Sequence, residues 1–309
     1  MRKLKNVLTW SFSRDRLFKE CRRAYYYHYY ASWGGWESGI DEGARKAYIL
    51  KNARNIDAWI GDIVHQIIKW ILESKFANSA GLFKDGREIS HDEARAKAKG
   101  LLTRTWEQSR SQMWKENVKR NLNLIEHYYK REPSREDLAL KLKKVTRSIR
   151  NFYESGLFKK FCGLKEENFL RLDELDSFDF EGTRVFAIPD FAVKSDKCTL
   201  YDWKTGKPSD KDILQLSCYT LYAMKKWQFE PDQIELVPAC IAQEPAVFNL
   251  IEGIDINEVQ EYVRGSISEM KAVLADVKEN KINIDKCPKT KDTWRCSNCK
   301  FQEICILDT

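Results

Sequence analysis

The sequence predicts an α/β fold in which a long helical region precedes a group of strands. The basis is a change in the spacing of apolar residues along the chain. Residues 91–157 are highly charged, with helical spacing and no strand signal. After residue 168 the spacing becomes that of strands, in the order strand-strand-strand-helix-strand. Hydrophobic residues make up 43% of the 309 residues, so the chain can bury a core.

The boundaries of the individual elements follow from turn residues and helix caps. A basic, aromatic helix is predicted over 10–30 and is broken by two adjacent glycines, Gly34 and Gly35. Apolar residues at helical spacing predict a second helix over 58–74. The other predicted elements are strands over 169–178, 184–193, 198–204, 235–242 and 246–251, and helices over 209–227 and 257–277.

We expect one composite domain made of four consecutive parts. These are an N-terminal helical part over 1–90, a helical insertion over 91–160, an α/β core over 161–280 and a cysteine-rich tail over 281–309. The net charge of +7 suits a polyanionic partner, although many proteins without one share this balance. No stretch reaches the roughly 20 apolar residues of a membrane span. A soluble cytoplasmic protein is therefore expected, with its nine cysteines mostly reduced.

An aspartate and a lysine lie two positions apart in the apolar strand predicted over 198–204. Side chains two apart on a strand share one face, so Asp202 and Lys204 point the same way, with Cα atoms roughly 6 to 7 Å apart. A solvated salt bridge is the plain alternative, and such pairs are common. Against it, the preceding strand is apolar on both faces, and a strand covered on both sides rarely carries an unpaired carboxylate. The pattern therefore favours a functional site at this point.

Asp190, in the preceding strand, joins this pair only if the hairpin has a suitable register. A two-residue turn would point its side chain away from Asp202. A three-residue turn, which pairs Lys194 with Cys198, would set Asp190 directly opposite Asp202. A bulge near Pro189 would have the same effect. The hairpin must use one of these two solutions if the carboxylates act together.

Three motifs together resemble the PD-(D/E)XK nuclease superfamily and, within it, the RecB-like exonuclease branch. Pro189-Asp190 followed by Asp202-Trp203-Lys204-Thr205-Gly206 is similar to the D-x-K-T-G form of the nuclease motif. The segment 61–65 resembles the G-x-x-x-H helix of this branch, and the segment 215–219 resembles its Q-x-x-x-Y helix. The resemblance implies a restriction-endonuclease-like core, with a central mixed sheet flanked by helices, a helical insertion and an iron–sulfur-bound tail.

The resemblance also implies a role for each motif residue. The two aspartates and the histidine would ligate Mg²⁺ or Mn²⁺, and the lysine would orient the attacking water. The glutamine and the tyrosine would help to hold DNA. Glu174, in the strand before Asp190, lies where the superfamily often has an accessory glutamate. The implied catalytic residues are His65, Asp190, Asp202, Lys204, Gln215 and Tyr219, of which His65, Asp190 and Asp202 are the metal ligands.

The implied activity is that of a metal-dependent deoxyribonuclease, acting as an exonuclease on single-stranded DNA ends. The alternative is an iron–sulfur or zinc-stabilised DNA-binding subunit with a vestigial nuclease site. A decayed site would have lost Asp202 or Lys204, and both are present. A zinc-dependent structural adaptor, the third hypothesis, would need neither residue.

Three cysteines near the C-terminus, Cys296, Cys299 and Cys305, form a C-x2-C-x5-C pattern that indicates a metal site. The spacing leaves the fourth ligand open. Cys287 would complete a local zinc knuckle, whereas Cys21 would be a remote ligand. RecB-like nucleases with a 4Fe–4S cluster, including those of CRISPR adaptation and the AddB type, have one N-terminal and three C-terminal cysteines. The resemblance therefore implies that Cys21 completes a 4Fe–4S cluster, with Zn²⁺ as the alternative.

The basic, aromatic segment 14–30, together with parts of the helical insertion, is also the predicted nucleic-acid surface. Arg22, Arg23 and Tyr25 belong to a basic, aromatic run, and Arg22 occupies the position where the iron–sulfur pattern usually has proline. Arginines neutralise phosphates, and tyrosine rings stack on unpaired bases. The alternative is that several of these tyrosines pack the core. The segment 126–129 also resembles a site, but a solvated helix face explains it equally well.

Overall fold

The computed structural model of the protein describes residues 4–76, 88–172 and 176–307. Within these residues the strands form a five-stranded, a three-stranded and a two-stranded sheet. In chain order the strands are β1 (Thr9–Ser11), β2 (Phe169–Leu172), β3 (Phe178–Phe180), β4 (Thr183–Phe186), β5 (Phe191–Lys194), β6 (Cys198–Lys204), β7 (Ile234–Cys240), β8 (Val247–Phe248), β9 (Leu274–Asp276) and β10 (Lys281–Ile282).

Helices pack around these sheets and contain more of the described residues than the strands do. The α-helices are α1 (Phe12–Glu20), α2 (Arg22–Tyr26), α3 (Glu42–Asn52), α4 (Ile56–Phe76), α5 (His91–Arg110), α6 (Ile125–Tyr128), α7 (Arg135–Glu154), α8 (Leu157–Cys162), α9 (Asp210–Trp227), α10 (Ile256–Ala272), α11 (Thr293–Ser297) and α12 (Gln302–Leu307). Among the described residues, none of the helices is both long and apolar enough to cross a membrane.

The five-stranded sheet is mixed and has the strand order β2-β5-β6-β7-β8. Its β6–β7 pair is parallel, whereas β5 pairs with β6 in an antiparallel hairpin. The helix α9 connects the two parallel strands. Two strands at the centre of the sheet, β6 and β7, are almost wholly buried because helices cover both faces.

Alternate residues of β5 and β6 contribute to two different apolar clusters. Phe191, Tyr201 and Trp203 pack with residues of α4, α5 and α7 on one face of the sheet. Ala192 and Leu200 pack with α9, α10 and the three-stranded sheet on the other face. Because side chains alternate along a strand, the even-numbered residues that follow Leu200 also face α9. The two helices α5 and α7, predicted as an insertion, therefore share a hydrophobic cluster with the central sheet.

The three-stranded sheet ties the N-terminus to the rest of the protein. Its order is β1-β4-β3, and β1 runs parallel to β4. Trp10 of β1 is buried, and its indole Nε1 donates a hydrogen bond of 2.8 Å to Ser266 Oγ on α10. A three-residue strand is thus held by both sheet pairing and burial.

The prediction of one strand over 184–193 is wrong. The strand β4 ends at Phe186 and β5 begins at Phe191, and the two strands belong to different sheets. Pro189 lies between them, and its ring nitrogen cannot donate to a sheet ladder. The first half of the segment instead pairs with β1.

Two predicted helices also differ from the structure. The helix expected over 10–30 is divided at Cys21 into α1 and α2, and a π-helical turn over Tyr27–Ala31 follows. Cys21 has extended backbone angles, and its sulfur accepts a hydrogen bond of 3.4 Å from the amide of Ala24. The helix expected over 257–277 ends at Ala272, because the next residues form the β9–β10 hairpin around Asn280, which has a φ of 47°.

Candidate active site

The β5–β6 hairpin has the register that a three-residue turn produces. Lys194 is paired with Cys198, and Phe191 is paired with Tyr201. Extension of this register by one residue, beyond the start of β5 at Phe191, would set Asp190 opposite Asp202. Asp202 follows Leu200 by two residues and so faces α9, whereas Asp190 is placed by its contacts with Trp203 and His65.

Asp190 and His65 are in contact where β5 begins and β6 ends. One carboxylate oxygen of Asp190 accepts a hydrogen bond of 2.7 Å from the amide of Trp203, and the other lies 3.2 Å from His65 Nδ1. His65 Nε2 lies 2.8 Å from the carbonyl oxygen of Trp203. Burial opposes the charged form of His65, but the Asp190 carboxylate raises its pKa to about 9. The imidazole is thus held between the carboxylate of Asp190, just before β5, and the carbonyl oxygen of Trp203 in β6.

The helix α4 brings His65 to this position because it approaches the end of β6 closely. A Cβ atom added at Gly61 would lie 3.4 Å from the hydroxyl of Thr205. The face of α4 opposite the site is apolar, and Ile60, Ile67 and Ile71 on it are fully buried. The glycine and the isoleucines together fix how α4 packs against the sheet.

Asp202 is buried and surrounded by polar groups from two elements. Its Oδ2 atom lies 2.5 Å from Lys204 Nζ, and its Oδ1 atom lies 3.4 Å from both Gln215 Nε2 and the hydroxyl of Tyr219. Gln215 and Tyr219 are four residues apart on α9, and their side chains are joined by a hydrogen bond of 2.6 Å. Burial and the Asp190 carboxylate raise the pKa of Asp202, while Lys204 opposes that rise.

Lys204 has a further carboxylate partner that the sequence reasoning missed. Its ammonium lies 2.9 Å from Gln215 Oε1 and 3.3 Å from Asp212 Oδ1. The other oxygen of Asp212 accepts hydrogen bonds of 3.0 and 2.8 Å from the amide and the hydroxyl of Ser209. Asp212 thus holds the start of α9 and Lys204 at once. The sequence feature that could have identified Asp212 is its position one helical turn before Gln215, on the same face of the predicted helix.

The oxygen atoms of this site suit a hard divalent cation. Oδ2 of Asp202 is buried and accepts no hydrogen bond within the described residues, and its close contact is the Lys204 ammonium. The Asp190 carboxylate and the Trp203 carbonyl add further oxygens, which are the ligands that Mg²⁺ and Mn²⁺ prefer. No three His, Cys, Asp or Glu side chains in the described ranges already stand close enough to hold one ion. Backbone carbonyl and water oxygens would therefore complete the ligand set.

Four cysteines line a cavity that contains none of these carboxylates. This cavity has a volume of about 510 Å³, and Cys21, Cys296, Cys299 and Cys305 are among its lining residues. Burial raises the pKa of the Cys299 thiol to about 11, although the amide of the residue two positions later donates to its sulfur at 3.4 Å. Cys287 is fully buried in a hydrophobic cluster and does not line the cavity.

The predicted nucleic-acid residues have three different environments. Tyr25 is fully buried and makes an edge contact with Phe18, while its hydroxyl accepts hydrogen bonds from Arg14. The prediction of Tyr25 as a stacking surface is therefore wrong in this structure. Arg23 donates to the carbonyl of Cys287 at 2.8 Å, whereas Arg22 is exposed. Glu174 lies outside the described residues.

The segment 126–129, to which the sequence assigned no role, connects two distant parts of the protein. Glu126 Oε1 accepts a hydrogen bond of 3.0 Å from the amide of Ile56, the first residue of α4. The hydroxyls of Tyr128 and Tyr129 donate, at 2.8 Å each, to Glu303 and to the carbonyl of Lys300. One short turn thus caps the helix that carries His65 and holds the cysteine-bearing tail.

The comparison with known families agrees with this geometry. The family model of the PD-(D/E)XK nuclease superfamily matches residues 9–306. The chain therefore belongs to the PD-(D/E)XK nuclease superfamily. No curated protein matches the chain.

Proposed function

We propose that the protein is a metal-dependent deoxyribonuclease whose catalytic residues are His65, Asp190, Asp202, Lys204, Gln215 and Tyr219. The observation that carries the proposal is that Asp190 accepts a hydrogen bond from the amide of Trp203, whose two neighbours in the chain, Asp202 and Lys204, form a close ion pair. A solvated salt bridge would not explain this arrangement, because Asp202 is buried. Burial of a carboxylate costs free energy of folding, which is more readily explained if the carboxylate has a catalytic function. The superfamily match supports the reaction class, which is hydrolysis of phosphodiester bonds.

Each side chain has a task that its contacts support. The carboxylates of Asp190 and Asp202 would hold Mg²⁺ or Mn²⁺ with the Trp203 carbonyl and His65. When bound, such an ion polarises the phosphate and lowers the pKa of bound water. Lys204 lies beside Asp202 and can orient the attacking water and offset negative charge on the phosphate. Gln215 and Tyr219, in addition to their contact with Asp202, would help to hold DNA.

We propose an exonuclease that acts on single-stranded DNA ends. This part of the proposal rests on the similarity of the D-x-K-T-G and Q-x-x-x-Y segments to the RecB-like branch. The basic net charge of +7 is consistent with a polyanionic substrate.

The test compares cleavage of end-labelled single-stranded DNA, end-labelled duplex DNA and internally labelled circular DNA by the wild-type protein with Mn²⁺ and with a chelator. We expect Asp202→Asn and Lys204→Ala to lower the cleavage rate by at least about 100-fold, because each removes a group that stabilises the reacting phosphate. Lys207→Ala, which removes an exposed lysine from the following turn, is the matched control. Undiminished cleavage by either site variant would refute the catalytic assignment. Retained DNA binding without cleavage in the wild type would identify a binding subunit instead.

We further propose that Cys21, Cys296, Cys299 and Cys305 hold a 4Fe–4S cluster. Their positions around one cavity support this ligand set, since four thiolates are the usual requirement of such a cluster. The cluster would be structural, because its ligands join the N-terminal helices to the C-terminal tail. The full burial of Cys287 among apolar side chains supports its exclusion.

The cluster proposal is tested by Cys21→Ser beside Cys287→Ser, each purified without air. Iron, acid-labile sulfide and visible absorbance should be lost in the first variant and kept in the second. Zinc in place of iron in the anaerobic wild-type protein would select the alternative metal. Loss of metal from Cys287→Ser but not from Cys21→Ser would mean a local zinc knuckle.

A further inference from the structure

A groove lined by basic side chains lies between the start of α5 and the middle of α7. Its volume is about 420 Å³. We call it the basic groove, and its lining residues are His91, Arg95, Lys143, Thr146, Arg147, Arg150 and Glu244.

The charge of the basic groove comes from a regular pattern on two helices. Lys143, Arg147 and Arg150 follow one another at spacings of four and three residues, which places them on one face of α7. Arg95 lies one turn from the start of α5, whose N-terminus adds the positive end of a helix dipole. Glu244 is the acid that lines the groove, and it pairs with two of the arginines.

Two side-chain nitrogens in the basic groove lack a hydrogen-bond partner within the described residues. Both are buried atoms: Nε of Arg150, which is a donor, and Nε2 of His91, which is a donor when it carries the ring proton. A carboxylate oxygen of Glu154 lies 3.7 Å from Arg150 Nε, which is an ion pair rather than a hydrogen bond. Buried donors are rarely left unpaired, because each loses its hydrogen bond to water. Oxygens of an anionic ligand would supply both missing acceptors.

The basic groove is joined to the candidate active site by the loop after β7. The amide of Ile241 donates to the carbonyl of Lys204 at 3.1 Å, and Gln243 Nε2 donates to the carbonyl of Gly206 at 2.8 Å. On its other side, this loop receives a hydrogen bond of 3.3 Å from Arg147 to the carbonyl of Ala242. The groove therefore lies at the same end of the parallel strands β6 and β7 as Lys204.

We propose that the basic groove binds backbone phosphates of the nucleic-acid strand whose scissile phosphate lies at Asp202 and Lys204. This inference rests on the proposed nuclease function and extends its substrate site beyond the reacting bond. Phosphate oxygens are suitable acceptors for the unpaired donors of His91 and Arg150. Arginines that already contact Glu244 can exchange that carboxylate for phosphate, because charge-assisted pairs of both kinds have similar geometry. The groove thereby replaces Tyr25 and its neighbours as the main nucleic-acid surface.

The test measures binding of a single-stranded 20-nucleotide DNA by fluorescence anisotropy, in chelator, as a function of salt. The groove variant is Arg95→Gln with Lys143→Gln, both at solvent-exposed positions, so the fold should be kept. The matched control is Lys225→Gln with Lys278→Gln, which removes two exposed charges elsewhere. For the groove variant we expect the slope of log K against log salt to flatten by about 1.4, since each phosphate contact on a single strand contributes about 0.7. Equal slopes and affinities for the two variants would overturn the proposal.

Two further arms separate this inference from its alternatives. A three-nucleotide DNA makes fewer phosphate contacts than the 20-nucleotide strand, so the groove variant should lose less affinity for it than for the longer strand. Equal loss of affinity for the two strands would overturn the proposal, as would loss of inorganic phosphate binding with an unchanged DNA slope. Arg22→Gln tests the N-terminal segment, and a larger effect there than in the groove variant would also overturn it. Because binding is measured without cleavage, an inactive protein with the expected slopes would refute the nuclease function and leave the groove assignment standing.

Discussion

Asp212 offers a sharp test of how the site is organised, because its two oxygens serve two different partners. One oxygen contacts Lys204 at 3.3 Å, and the other accepts both hydrogen bonds from Ser209 at the start of α9. Asp212→Asn keeps an oxygen acceptor for Ser209 but turns an NH₂ group toward the lysine. Ser209→Ala does the reverse, since it removes the hydroxyl partner and leaves the carboxylate beside Lys204.

The expected effect on catalysis follows from the contact that is lost. A hydrogen bond to a charged group contributes about 1.5–3 kcal/mol, and each 1.4 kcal/mol corresponds to tenfold in rate. In this variant Lys204 retains Asp202 and Gln215 as partners, so its side chain should become more mobile but stay in the site. We therefore expect Asp212→Asn to lower the cleavage rate constant by about 10- to 100-fold. Ser209→Ala should change it less than threefold and cost about 0.5–2 kcal/mol of stability as a lost cap.

The assay is single-turnover cleavage of a labelled single-stranded DNA with Mn²⁺, accompanied by DNA affinity in chelator and urea unfolding of each variant. A positioning role lowers the rate constant of Asp212→Asn at unchanged DNA affinity, and Asp212→Glu should recover part of it. A purely structural role would instead lower stability in both variants and leave the saturating rate unchanged. If Asp212→Asn cleaves as fast as Ser209→Ala, the proposed support of Lys204 is refuted.

Three further predictions concern stability. Ile67→Ala, at a fully buried position of α4, should lower the free energy of unfolding by about 2–5 kcal/mol in urea, and a loss under 1 kcal/mol would contradict tight packing there. Tyr129→Phe removes the hydrogen bond to the Lys300 carbonyl and should speed proteolysis of the C-terminal tail, unlike Tyr153→Phe, which removes a similar bond of 2.7 Å elsewhere. Burial lowers the pKa of His28 to about 2, so below pH 6.5 the unfolded chain binds a proton that the folded protein does not. Stability should then fall by up to about 1.4 kcal/mol per pH unit, and His28→Gln should flatten this slope; identical slopes would contradict it.

Local pattern was sufficient for those elements whose partners are close in sequence. The helices α4 and α9 and the strand β6 agree with prediction to within two residues, because apolar spacing and turn residues specify them. The strand predicted over 184–193 failed for a different reason. Its first half pairs with β1, a three-residue strand about 175 residues earlier. The local spacing of apolar residues cannot predict a pairing partner so distant in the sequence.

The candidate site was predictable in composition but not in arrangement. The sequence left the hairpin turn open between two and three residues, and left open a bulge near Pro189, and these alternatives decide whether Asp190 faces Asp202. The basic, aromatic run led to a wrong prediction for Tyr25, which is buried and not on the surface. A tyrosine in a basic segment suits base stacking and core packing equally, and the Arg14 contact that buries Tyr25 depends on the fold of two helices around Cys21. The sequence shows that Asp212 is an acidic residue, but its contact with Lys204 depends on the direction in which the chain turns from β6 into α9.

The cavity lined by cysteines also sets an order of events during biosynthesis. Cys21 precedes Cys296 by 275 residues. At about 5–20 residues per second, translation takes roughly 14 to 55 s to cover that distance. During this interval the N-terminal residues that line the cavity have been synthesised, but the residues of the tail that line it have not. The Cys21 thiol can then react with oxidants or bind other metal ions. Assembly of the cavity therefore cannot begin until Cys296, Cys299 and Cys305 have been synthesised.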